Sequence, residues 1–140
     1  LGKIFRAAAL MSRQTIFEIP ASALRPGQAR GFEWREAASA GGRHRMGFLA
    51  KVGADEFVAY ENECPHLGVP LDAGCGEFFE EEGRFLVCSL HGALFIPKTG
   101  DCVAGPCRGD SLRPLAIERR GERVAVFDPK PGARREGRIA

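Results

Sequence analysis

Two short stretches hold most of the chemistry available to this chain. Residues 64–68 read CPHLG and residues 88–92 read CSLHG, so each offers a thiol, an imidazole and a closing glycine. The chain has three histidines and five cysteines, and these two segments take two of the histidines. Thiolates and imidazoles are soft and borderline donors, suited to zinc or to iron–sulfur chemistry. Structural zinc knuckles separate paired ligands by two or more residues. Cys64 and His66 enclose a single residue, whereas Cys88 and His91 enclose two. The tighter pair points to neighbouring side chains serving different ions of a cluster. A structural zinc site is the alternative, and colour separates them: an iron cluster is red-brown and zinc is colourless.

The surrounding sequence predicts strands. Candidates are 15–19, 29–34, 44–52, 56–61, 84–88, 93–97, 112–119 and 123–128, separated by turn signals such as RPGQ, VGAD, EEGR, KTGD and RRGE. Helical periodicity is scarce beyond PASAL, with 18 glycines and 9 prolines punctuating the chain. Short strands with frequent turns predict an all-β antiparallel sandwich or barrel. Each pentapeptide follows a strand candidate, in a loop held by rigid neighbours. The organisation expected is a leader over 1–13, with Met11 a candidate initiator, one domain over 14–128, and a charged, Pro/Gly-rich tail over 129–140.

The order C-x-H … C-x2-H matches the Rieske pattern, in which two histidines replace two cysteines on one iron of a 2Fe-2S cluster. Residues 14–128 resemble a small soluble Rieske ferredoxin, a carrier of single electrons to oxygenases and related enzymes. The resemblance implies a Rieske-like antiparallel β sandwich with an inserted cluster-binding subdomain over about 62–107. It implies that Cys64 and Cys88 bind the inner iron as thiolates, and that His66 and His91 bind the outer iron through Nδ1. Gly105–Pro106 resembles the proline loop that covers the cluster. Leu67, Gly68, Leu90, Gly92, Gly105 and Pro106 would then shield the cluster, with Gly68 and Gly92 bringing backbone N–H groups close to the sulfides. Leu67, Val69, Pro70, Leu90 and Pro106 would form an apolar collar for docking. High-potential respiratory relatives carry an extra disulfide and two hydroxyl donors, where this chain has Val69, Leu90, Ala93 and Phe95. That difference implies a potential near the low end of roughly −150 to +300 mV.

The remaining residues exclude several functions. A mononuclear oxygenase iron needs two histidines and a carboxylate, and once the cluster has its two, only His44 is left. No Gly-rich phosphate loop follows a strand. The expectation is therefore an electron carrier, not an enzyme by itself, whose partners are a reductase and a terminal oxygenase. A small subunit of a larger reductase, such as a nitrite reductase, is the alternative, and a redox sensor is a more distant one. Residues 55–83 hold nine acids and no Lys or Arg, so the rest of the chain carries +11. An acidic rim there would steer a basic partner and repel nucleic acid. No apolar run approaches a membrane span, and the odd cysteine count argues against a disulfide framework. These features suggest a cytoplasmic protein, monomeric when free. Cys102 and Cys107 are read either as a labile disulfide beside the cluster or as buried small hydrophobes. Phe78 and Phe79, in an expected acidic hairpin, would cap the cluster subdomain.

Overall fold

A computed structural model describes residues 13–65 and 68–129. The leader and tail expectations therefore lie outside the described residues, apart from Arg13 and Pro129. Nine strands form three antiparallel, three-stranded sheets. In chain order they are β1 (Thr15–Pro20), β2 (Gln28–Arg35), β3 (His44–Gly53), β4 (Glu56–Glu61), β5 (Leu86–Val87), β6 (Leu94–Phe95), β7 (Cys102–Ala104), β8 (Ile117–Arg120) and β9 (Arg123–Phe127). The sheets are ordered β1-β9-β8, β2-β3-β4 and β5-β6-β7. The only helical elements among the described residues are two single 3-10 turns, one of them in the PASAL segment. None of these helices is long and apolar enough to cross a membrane. The expectation of an all-β antiparallel fold holds.

The first two sheets face one another across a core of Ile19, Phe32, Trp34, Leu49, Ala59, Leu115, Val124 and Val126. Strand β3 belongs to two cores at once. Side chains alternate along a strand, so Leu49 enters that sandwich while Phe48 and Ala50 face the opposite way. Register carries the same division across to β4, where Ala59 lies opposite Leu49 and Tyr60 opposite Phe48. The unbroken apolar run GFLA therefore encodes a strand buried on both faces rather than a half-exposed one.

Phe48, Ala50 and Tyr60 form the floor on which the third sheet is built. Their core continues through Leu71, Phe78, Leu86, Phe95 and Leu112, and includes Cys64, Cys88, Cys102 and Cys107. Phe78 stacks on Phe48 with ring centroids 4.5 Å apart, a contact contributing about 0.5–1.5 kcal/mol beyond area burial. Tyr60 donates its hydroxyl to the Pro97 carbonyl at 2.7 Å, anchoring the segment after β6. The acidic segment forms a short hairpin in which a Phe79–Leu86 bridge is flanked by Glu80–Phe85 and Phe78–Val87 backbone bonds.

Candidate metal centre

The described ends of the two pentapeptides are closed by the same pair of backbone bonds. After β4, Cys64 donates its N–H to the Val69 carbonyl at 2.7 Å, and Gly68 donates to the Cys64 carbonyl at 2.6 Å. After β5, Cys88 donates to the Ala93 carbonyl at 2.9 Å, and Gly92 donates to the Cys88 carbonyl at 2.7 Å. In both, the fifth residue turns the chain in the left-handed region, with φ +72° at Gly68 and +73° at Gly92. The torsion therefore favours glycine. The space a Cβ would enter is open at Gly92, and at Gly68 meets only the end of Glu63 at 3.9 Å. In both segments the closing bonds and the glycine torsion recur, and the first cysteine is buried.

Bonds within and between the loops hold them in place. Buried Asn62 accepts from the Leu71 N–H at 2.8 Å and donates to Asp72 at 3.1 Å, while Asp72 accepts from the Gly76 N–H at 3.0 Å. The Ser89 N–H reaches the Leu71 carbonyl at 2.8 Å, linking the second loop to the first. The proline loop packs against both. A Cβ on Gly105 would lie 2.8 Å from the Ala93 Cα, so only glycine lets this backbone approach so closely.

Cys64 and Cys88 are both buried in one core, at 1% and 0% exposure. Burial pushes the Cys88 thiol above its ordinary pKa, against backbone N–H groups of Leu90 and His91 that favour the thiolate; the neighbouring Cys64 thiol adds to the rise. Such a sulfur becomes a thiolate most readily by binding a cation. His91, Gly92, Gly105 and Pro106 are exposed, and Leu90 is 55% exposed, on the outer side of the same loops. His66 and Leu67 lie outside the described residues. Among the described residues, no three Cys, His, Asp or Glu side chains gather as ligands of one metal ion. The chemistry of the donor set fits a 2Fe-2S cluster, with two buried sulfurs inside, an exposed imidazole outside, and N–H donors directed at one of the sulfurs.

The remaining expected positions fall into place separately. His44 is exposed on β3, with Nε2 2.9 Å from Glu33. The Cys102 thiol donates to the Ala104 carbonyl at 3.2 Å. Cys107 instead lies 3.4 Å, sulfur to sulfur, from Cys64, and no disulfide joins Cys102 to Cys107. Sequence reasoning missed this contact because it joins residues 43 apart in the chain. It also missed the Asn62–Asp72 brace. The acidic block is largely engaged: Asp55 pairs with Arg119, Glu56 with Lys98, Glu61 with Arg45, Glu63 with Arg113 and Glu82 with Arg84.

Comparison with known proteins gives a consistent pattern. The family model described as Rieske [2Fe-2S] domain matches residues 16–130. A chain from the complex of reduced oxygenase and oxidized ferredoxin in carbazole 1,9a-dioxygenase is 26% identical, with TM-score 0.60, and the match covers 81% of this chain and 94% of that one. The ferredoxin of carbazole 1,9a-dioxygenase from Nocardioides aromaticivorans shares the fold at 24% identity and TM-score 0.58, over 81% and 95% of the two chains. A Sphingomonas yanoikuyae ferredoxin does so at 17% identity and TM-score 0.61, over 84% and 100%. No curated protein sequence matches the chain.

Proposed function

The chain belongs to the Rieske [2Fe-2S] domain family, and from that premise we propose that it is a ferredoxin component, taking single electrons from a reductase and passing them to a terminal oxygenase. Cys64, His66, Cys88 and His91 are its ligands in this reading. The observation that carries it is the pair of matching loops, each directing a cysteine into one buried core. When bound, the cluster supplies the gain and loss of one electron.

The chain's own residues divide the remaining work. Cys64 and Cys88 hold the centre from the buried side, where Phe48, Leu71 and Phe95 exclude water. His91 faces outward and gives a docked partner a short approach to the ligand sphere. Leu90 and Pro106, both exposed beside it, provide the apolar rim of the docking surface, with Val69 and Pro70 half-buried behind them. His44 bonds to Glu33 and takes no part. With two of three histidines committed, this chain cannot build the two-histidine, one-carboxylate iron site of an oxygenase.

The test is a two-step transfer assay with reconstituted protein. A flavin-dependent ferredoxin reductase and NADH should reduce the protein, and an oxidised Rieske oxygenase should then reoxidise it with a second-order rate. Reduction no faster than without the reductase, or a reduced protein that the oxygenase leaves untouched, would contradict the carrier role. Colourless protein containing zinc would remove the cluster as well.

A further inference from the structure

We infer that the Cys107 thiol donates a hydrogen bond to the Cys64 sulfur and thereby raises the reduction potential of the centre. Cys107 is fully buried, and its sulfur lies 3.4 Å from that of Cys64, within hydrogen-bonding range for two sulfurs. The loop that carries it is closely constrained. Arg108 donates its N–H to the Gly105 carbonyl at 3.2 Å, Asp110 to the Cys107 carbonyl at 2.8 Å, and Cys102 to the Asp110 carbonyl at 2.9 Å. Gly105 is wedged on the backbone of Ala93. The turn leaves Pro106 outside and sends the next side chain inward. Cys102 does not compete for the position, since its thiol is directed at the Ala104 carbonyl.

Two neutral thiols could donate in either direction. The inference rests on the reading of Cys64 as an iron ligand, and that reading fixes the direction: a metal-bound thiolate has no proton, so only Cys107 can donate. Hydrogen bonds to cluster sulfurs are a lever on potential. The reduced centre carries one more negative charge, so a donor in this dry core stabilises it more than the oxidised form. Ala93 and Phe95, both buried, bring no hydroxyl to the second loop. Cys107 gives the first loop a side-chain donor, and acts as a positioning residue through Cys64.

The experiment compares Cys107→Ala and Cys107→Ser with the parent protein by potentiometric titration, with iron and acid-labile sulfide measured on each. Cys107→Ala should keep its cluster and become harder to reduce, the equilibrium constant falling about threefold to tenfold, the latter being 59 mV for one electron. Cys107→Ser, which retains a donor, should recover most of the loss. A cluster-loaded Cys107→Ala with the parent's midpoint overturns the inference, and so does a Cys107→Ser variant displaced as far as Cys107→Ala, because packing alone would explain that. Infrared spectroscopy of a Cys75→Ala/Cys102→Ala protein decides the matter even if neither Cys107 variant assembles. With Cys64 and Cys88 ligating, its one S–H stretch belongs to Cys107. A band red-shifted from that of a free thiol, moving again on reduction, supports the bond; a band at the free-thiol frequency overturns it. A parent protein that binds no iron and sulfide fails the ferredoxin reading itself, and the inference falls with it.

Discussion

At the scale of single residues, the ligand proposal makes unequal demands on groups that look alike in sequence. Five cysteines and three histidines are present, yet only those in the two pentapeptides have the spacing of ligand pairs, and of these Cys64 and Cys88 are buried at the start of loops closed by matching backbone bonds. Cys88→Ser should lower iron and acid-labile sulfide at least tenfold, measured per chain after anaerobic reconstitution. His44→Ala should leave both unchanged and alter stability by no more than about 0.5 kcal/mol, because its Glu33 partner is also exposed. Cys64 and Cys88 stand out in the sequence as candidate ligands because metal-ligand spacing is local. Cys107 does not: what distinguishes it from Cys102 is which carbonyl or sulfur its thiol faces, and that depends on how the proline loop packs on Ala93.

At the scale of elements, two loops closed by matching backbone bonds follow strands of different sheets. Strands β1 to β4 and β9 were legible because they are long enough for alternation and turn chemistry to mark them. The third sheet was harder. Candidates 84–88 and 93–97 contain β5 and β6, but these strands are two residues long, too short for a period to set their bounds, and the three-residue β7 carried no signal of its own. The 112–119 candidate shrinks to β8 (Ile117–Arg120), with Leu112 and Leu115 packed as core residues outside a ladder. The loop glycines separate two physical requirements. Gly92→Ala should cost about 1–2 kcal/mol in denaturant unfolding, the torsional penalty of a left-handed residue, since nothing obstructs the new Cβ. Gly105→Ala should cost more, because its Cβ would press on backbone 2.8 Å away. Equal losses would mean that the proline loop yields freely. Phe48→Ala, in the floor beneath the third sheet, should cost about 3–5 kcal/mol.

At the scale of the whole molecule, the charge asymmetry seen in sequence is muted by folding. Five of the nine acids of the 55–83 block pair with basic residues from outside it, so steering of a basic partner is weaker than a bare count of nine acids suggests. Raising ionic strength to the physiological range should slow partner reduction by less than about tenfold and leave the midpoint potential nearly unchanged; stopped-flow traces over a salt series check this. Internal pairing also affects acid stability. Arg45, with help from the Arg43 backbone, holds the Glu36 carboxyl below the ordinary carboxylate range. A carboxylate with a lowered folded-state pKa contributes stability above its unfolded pKa and loses it as pH falls through the folded value. Glu36→Gln should therefore flatten the acid limb of the stability profile and change the neutral plateau little beyond loss of the Arg45 pair. The account as a whole depends on mixed ligation by sulfur and nitrogen. Pulsed EPR of dithionite-reduced protein, reconstituted with ¹⁵N-histidine label, measures that most directly. Strong couplings from two histidine nitrogens, with one lost in His91→Cys and neither lost in His44→Ala, are the expected result. A reduced cluster without histidine nitrogen couplings, or a protein that takes up no iron and sulfide at all, would contradict it.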